Sequence, residues 1–399
     1  MPNGLVLAAL LAAAAPEPGP FVALGPADEP VTGRLVRLAA DGTAELAAGA
    51  KTVTVRGAYS LRRQTVPLPP FPRGPLLVTT TGDRVPGQLL GGDARSLRFR
   101  PAFAPDESEW KVPFSSATVV WLTRPPAETP LDPGRYAWLA DNRRRDVLLF
   151  RNGDTLRGSL DGFAGGPKFK PETGDVRTVP LGQLAAVALN PSLARTRTPK
   201  GPFARLVLRD GTRLDVTGPT VENDVLRGKA LFGEAVEVPL AEVVALDVFQ
   251  GKAAHLSDLK PARAGQSGFL GAAWSWAADR SAHGGPLRLL TLAGEQTFDK
   301  GLGTHPQTTL VYDLGGKYRR FEALVGLDPA TGRHGRADVR VRLDGKEQDR
   351  PELRSLAAGL AVPLRIDVTG VKELTLAIDF GPSGDVQADV NWGDARLVE

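Results

Sequence analysis

The sequence predicts an all-β chain: tandem small β-barrels followed by a C-terminal β-sandwich. Three observations carry this reading. The chain of 399 residues holds 45 glycines and 34 prolines, about a fifth of the total. That share suits many short strands joined by turns and stays below the roughly 25–30% of low-complexity disorder. A strand–turn–strand phrase recurs through the middle of the chain, and a different set of alternating strands fills its last third.

Taken in order, Leu5 to Ala15 is an apolar run closed by Pro16, Pro18 and Gly19. It is too short to span a bilayer as a helix but fits the apolar core of a secretory signal, with Ala13 and Ala15 suiting a cleavage site. Residues 1–18 are therefore expected to be a signal peptide, and the protein secreted or periplasmic. The repeats follow. Apolar runs lead into Thr81-Gly82, Asn152-Gly153 and Asp210-Gly211, dipeptides that accept positive φ in a two-residue hairpin turn. Each unit closes on a Val-Pro step, at Val112-Pro113, Val179-Pro180 and Val238-Pro239, then a short helical turn and a last strand. These phrases predict barrel units over 74–123, 145–190 and 203–250, with a degenerate copy over 28–64. Prolines at 67–72, 125–133 and 199–202 mark the seams between them. A unit of this size with four or five strands closes as a small SH3- or Sm-like barrel, because a lone hairpin cannot bury its apolar face. With no cysteine to staple them, such barrels are expected to pack in a contiguous row, each against its neighbour. Trp110, Trp121 and Trp138 are read chiefly as core.

From His255 the text changes. Val339, Val341 and Leu343 alternate ahead of Asp344-Gly345, a half-buried strand entering a turn. Several such strands before residue 399 predict one sandwich over 255–399. Its phrases run in the order Phe298 to His305, Leu310 to Phe321, Ala323 to Asp328, Ala337 to Lys346, Leu364 to Ile378 and Asp389 to Leu397.

Together these phrases, from about Leu256 to Val398, resemble the NPCBM domain, a carbohydrate-binding module associated with glycosyl hydrolase family 98. The resemblance implies a galactose-binding-like jelly roll that holds galactose-containing glycans through loops at one end. Where that family has an Asp-His-Ala-Asp-Trp type of core, this chain has Asp389-Val390-Asn391-Trp392, without the histidine and with an amide for one carboxylate. The preceding repeats more loosely resemble the small barrels placed ahead of such domains in planctomycete-type exported proteins.

Sugar recognition needs an aromatic face for the C–H side of the ring and fixed polar groups for its hydroxyls. Trp274, Trp276 and Trp392 offer faces, and Thr304, His305, Asp328, Arg333, Asp389 and Asn391 offer polar groups. The predicted carbohydrate site is Trp276, Thr304, His305, Asp328, Asp389, Asn391 and Trp392. Packing competes at two of these: His305 could pin two loops through backbone bonds, and Trp392 could belong to the core. Gly301 and Gly303 permit the close backbone approach that fixes His305 at a loop-to-strand junction.

Other function classes lose support. A net charge of +4 over 399 residues supplies no strong phosphate attraction, so nucleic acid is not an expected partner. No segment approaches a membrane span, and peripheral membrane association is not expected. His255, His283, His305 and His334 show no metalloprotease spacing, and neither a Gly-x-Ser-x-Gly elbow nor a P-loop is present. The chain reads as a non-catalytic exported glycan or polysaccharide binder, without cofactor or metal, save a structural Ca²⁺ that could staple loops. The alternative is a structural or protein-interaction scaffold whose sandwich has lost sugar binding.

Overall fold

The computed structural model describes residues 19–27, 29–105, 107–124, 144–163, 165–195, 199–267, 275–382 and 384–399. The segment read as a signal peptide, the Pro125–Pro133 seam, Trp138 and Trp274 lie outside the described residues.

Among the described residues between Phe21 and Phe249, four units of five strands share one pairing scheme. In the fourth, the first strand Phe203–Leu208 pairs with the second, Arg213–Glu222, and with the fifth, Val243–Phe249. The second pairs with Val225–Ala230, and that with Ala235–Pro239. The same scheme recurs from Leu76–Thr79 to Ala117–Trp121, from Asp146–Phe150 to Leu184–Ala188, and from Phe21–Leu24 to Ser60–Arg63. The first unit therefore starts at Phe21, ahead of the expected residue 28. Its opening strand is only four residues long and runs into Gly25-Pro26, so it left little pattern to read.

Two further expectations are corrected. The repeated turns are not two-residue turns. Thr79, Phe150 and Leu208 each bond the residue four ahead, at Asp83, Asp154 and Thr212, and accept from Gly82, Gly153 and Gly211 three ahead. These are three-residue loops whose third residue takes φ of +86°, +94° and +90°, the left-handed position that suits glycine. Nor do the units form a row in sequence order. The fifth strand of the first unit pairs with that of the fourth, Leu61 opposite Leu246, and the second with the third, Val120 opposite Val187. All four side chains are fully buried, and each contributes about 1.5–3 kcal/mol relative to exposure. Burial decides the partner, because a strand carrying apolar residues at these positions finds cover only against another such strand.

A sandwich follows. One sheet runs in the order Ala277–Ala278, Gly301–Thr304, Val390–Val398, Arg320–Leu327, Val362–Asp367, with Ala253–His255 also on Val390–Val398. The other runs Arg263–Gln266, Thr308–Asp313, Glu373–Phe380, Arg336–Leu343, Lys346–Glu347. Leu302, Phe321, Val325, Trp392 and Leu397 of the first meet Leu310, Tyr312, Val341, Leu376 and Ile378 of the second in one core. A hairpin, Leu287–Thr291 with Gly294–Phe298, covers the outer face of the first sheet. Gly393 makes room for it: a Cβ there would lie 3.0 Å from Leu289 and Phe298. Beyond the hairpin lie Leu68, Val207, Val244 and Ala245 of the repeats, in a shared cluster with Leu287, Leu289 and Phe298.

The rest of that contact is ionic. Glu322 accepts from Tyr59 Oη at 3.0 Å, Arg320 Nε at 2.7 Å and Arg396 Nε at 3.0 Å. Arg320 Nη2 also reaches the carbonyl of Gly25 at 3.1 Å. Arg62 lies between Asp247, 2.5 Å away, and Asp394. Arg213 donates to Asp299 at 2.6 Å and to the Pro69 carbonyl at 2.7 Å.

Candidate functional site

At the opposite end of the strand Val390–Val398, four loops meet: the turn near His283, the exit from Gly301–Thr304, the stretch after Leu327, and the approach to Val390. Their spacing follows from small residues. The turn at Ser281–Gly285 repeats the three-residue loop of the repeats, Ser281 bonding Gly285 and accepting from Gly284, whose φ is +84°. His283 stands within that loop and is exposed. The turn rests directly on Gly303, where a Cβ would lie 2.4 Å from Ala282 N and 2.5 Å from Arg280 O. Gly303 thus lets the His283 turn approach the strand that ends at His305. Gly335 does the same for the other pair of loops, a Cβ there falling 1.7 Å from the Gln387 carbonyl.

Asp389 occupies the centre. Its carboxylate meets His283 Nε2 at 2.8 Å and His305 Nδ1 through the other oxygen. The two imidazoles lie edge to face, with ring centres 5.0 Å apart. Asp389 is almost fully buried and His305 nearly so, leaving His283 as the member that faces solvent. Asp328 stands beside them: its N–H donates to the Asp389 carbonyl at 2.9 Å, and its carboxylate accepts from Ala330 N–H at 2.9 Å. Burial raises the Asp328 pKa above the usual carboxylate value, and the charge of Asp389 adds to it, against the pull of the Ala330 N–H, His283 and Arg288.

The residues singled out in sequence separate into two groups. His305, Asp328 and Asp389 come together at this end. Trp276, partly buried against the sandwich core, precedes the pairing of Ala277 with Gly303 and so lies on the Thr304 side of that bridge. Thr304, Asn391 and Trp392 are fully buried and offer a ligand no surface. Trp392 packs in the core with its indole N–H 3.3 Å from Thr304 Oγ1, which itself donates to the Val390 carbonyl at 2.9 Å. Asn391 points to the other face of the sheet and donates to the Arg288 carbonyl at 3.0 Å. As direct sugar contacts these three are corrected: their side chains hold the strand and the covering hairpin. Arg333 and His334 are exposed on the loop after Leu327. Sequence reasoning missed His283, although Ser281 to Gly285 carries the same glycine-closed turn as the repeats. Among the described residues no helix is long and apolar enough to cross a membrane.

Known proteins share this part of the chain. The NPCBM/NEW2 domain model matches residues 252–398. A protein of Renibacterium salmoninarum named "Putative endo-alpha-N-acetylgalactosaminidase" is 28% identical over 116 residues, 29% of this chain and 7% of that one. The chain thus spans only a small part of that relative's length. A CBM51 module from Clostridium perfringens GH95, solved in complex with methyl-galactose, is 26% identical, with a TM-score of 0.33 over 37% of this chain and 99% of that one. The CBM51-2 and INT domains of Clostridium perfringens ZmpB, solved with GlcNAc, are 24% identical, with a TM-score of 0.33 over 46% of this chain and 38% of that one. Residues 252–398 of this chain are an NPCBM/NEW2 domain.

Proposed function

We propose that this protein is a non-catalytic, exported glycan binder, and that the ligand, a galactose-type or related glycan, docks at the His305 end of the NPCBM domain. The observation that supports this reading is the meeting of His305, Asp328 and Asp389 at one end of the sandwich, on loops held by Gly303 and Gly335, with Trp276 next to the strand bridge between Ala277 and Gly303. Trp276 would cover the apolar face of a sugar ring, and the carboxylates and imidazoles would bond its hydroxyls. A shallow site of this kind binds each glycan weakly. The repeats then act as a support that is continuous with the domain through Glu322 and Arg62.

The test is a glycan array followed by calorimetry on the full chain. Trp276→Ala should lower affinity by about 1.4–2.8 kcal/mol, a factor of roughly 10–100, with the unfolding midpoint little changed. Absence of binding to any glycan, together with elution unaffected by polysaccharide, would overturn the reading and leave the scaffold role.

A further inference from the structure

We propose that His283, His305 and Asp389 form a binding site for a divalent cation of the zinc class. Their candidate ligand atoms, one from each residue, all lie within 4.8 Å of one another. Two imidazole nitrogens with one carboxylate oxygen is a donor set that suits zinc and its neighbours, whereas calcium and magnesium prefer oxygen alone. The three donors come from separate loops, so an ion would add a further tie between segments that already meet at Gly303 and Asp389.

The local structure fits an ion more closely than an accidental contact does. His283 is brought in by a turn that could not reach this position over any residue but Gly303, since a Cβ there would collide with the turn backbone at 2.4 Å. His305 follows directly on the strand Gly301–Thr304, which pairs with Val390–Val398 through Thr304 opposite Val390. Asp389 is therefore fixed next to His305 by sheet register, while His283 arrives from the solvent side. Two carboxylates, Asp389 and Asp328, are buried here. Neither appears in an arginine or lysine salt bridge among the described residues, in contrast with Glu322, Asp247 and Asp394. A cation held by Asp389 would place a further positive charge beside both carboxylates.

His283 is exposed, so an ion held here would lie toward solvent, where water or another oxygen ligand could complete its coordination. A sugar hydroxyl is such a ligand, so an ion here could join a glycan rather than exclude it. The site itself rests on the donor set alone and does not require the glycan reading.

The experiment uses the full chain, freed of metal with EDTA and dialysed, titrated with ZnCl₂ by calorimetry in the absence of sugar. Thermal unfolding and the visible spectrum with Co²⁺ are recorded in parallel. The expected result is one saturable site per chain, a Zn²⁺-dependent rise in melting temperature, a Co²⁺ band, and no comparable binding of Ca²⁺ or Mg²⁺. His283→Ala and His283→Gln, at an exposed position where folding is preserved, should weaken binding by more than the roughly 10–100-fold that loss of an outer-shell partner costs. His334→Ala, in the neighbouring loop, should leave binding unchanged. No saturable Zn²⁺ binding, or equal binding by the His283 variants, would overturn the proposal. Because no sugar is present, neither outcome bears on the glycan test.

Discussion

The strand Val390–Val398 carries two unlike ends. Toward its C-terminus, Asp394 and Arg396 enter a contact in which each carboxylate meets a guanidinium: Asp394 with Arg62, and Glu322 with Arg320 and Arg396. At its start, Asp389 is equally buried, and among the described residues its carboxylate meets imidazoles and no guanidinium, with Asp328 close by. The difference teaches how this chain separates structure from ligand binding. Where charge is internally matched the surface is closed and joins two parts of the protein. Where imidazoles take the place of guanidinium groups, a carboxylate keeps capacity for a further partner.

That contrast can be broken from the closed end first. Glu322→Ala leaves Arg320, Arg396 and Tyr59 without their shared acceptor, and urea unfolding should show a loss of about 3–5 kcal/mol. A loss below about 1 kcal/mol would mean that the network is solvated and the two ends are alike. Next is Gly303→Ala, which forces the His283 turn off the strand. Overpacking of this kind costs about 1–3 kcal/mol, and binding that depends on the turn should fall with it, a pairing that calorimetry and unfolding can check together.

The smallest effect is in pH dependence, where Glu322 and Asp247 of the closed end should have the opposite sign to Asp328, while Asp394 of that same end is raised by burial and shares the sign of Asp328. Glu322 and Asp247 are held below their usual values by Arg396 and Arg320, and by Arg62, against the cost of burial. Their contribution is present above the unfolded carboxylate pKa and is lost as pH falls through the lowered folded value. His255, pushed down to about 3 by burial and Arg396, reinforces this, since its contribution declines as pH falls below the ordinary histidine value. Asp328 is raised, so its contribution is present in acid and lost as pH climbs through the folded value. Asp328→Asn keeps the acceptor for Ala330 N–H and should therefore stabilise at pH 8 but not near pH 3. Unfolding curves at the two pH values decide it, and a gain in acid would contradict the assignment.

Much of the fold was legible because its signals are local. The Val-Pro steps at Pro113, Pro180 and Pro239 do precede 3₁₀ turns at 114–116, 181–183 and 240–242. The glycines at 82, 153 and 211 do sit at positive φ, one position later in the loop than a two-residue turn would need. The order of the units was not legible, because Leu61 and Leu246 are each ordinary apolar strand residues and only their mutual burial selects the pairing. At the site, the Gly303 to His305 phrase pointed to a close approach, yet nothing in sequence named His283 as what approaches. Trp392 and Asn391 could not be placed from pattern either. Both faces of their strand are covered, one by the second sheet and the other by the hairpin Leu287–Phe298.

The pairing of the first unit with the fourth also sets a timetable for making the protein. Ser60 bonds Asp247 across 187 positions, and Tyr59 bonds Glu322 across 263. At a synthesis rate of about 5–20 residues per second, the first unit emerges roughly 10–40 s before the strand that covers Leu61 exists. Through that interval an edge with buried-type residues stands open, which makes the nascent chain a natural client for a holding chaperone.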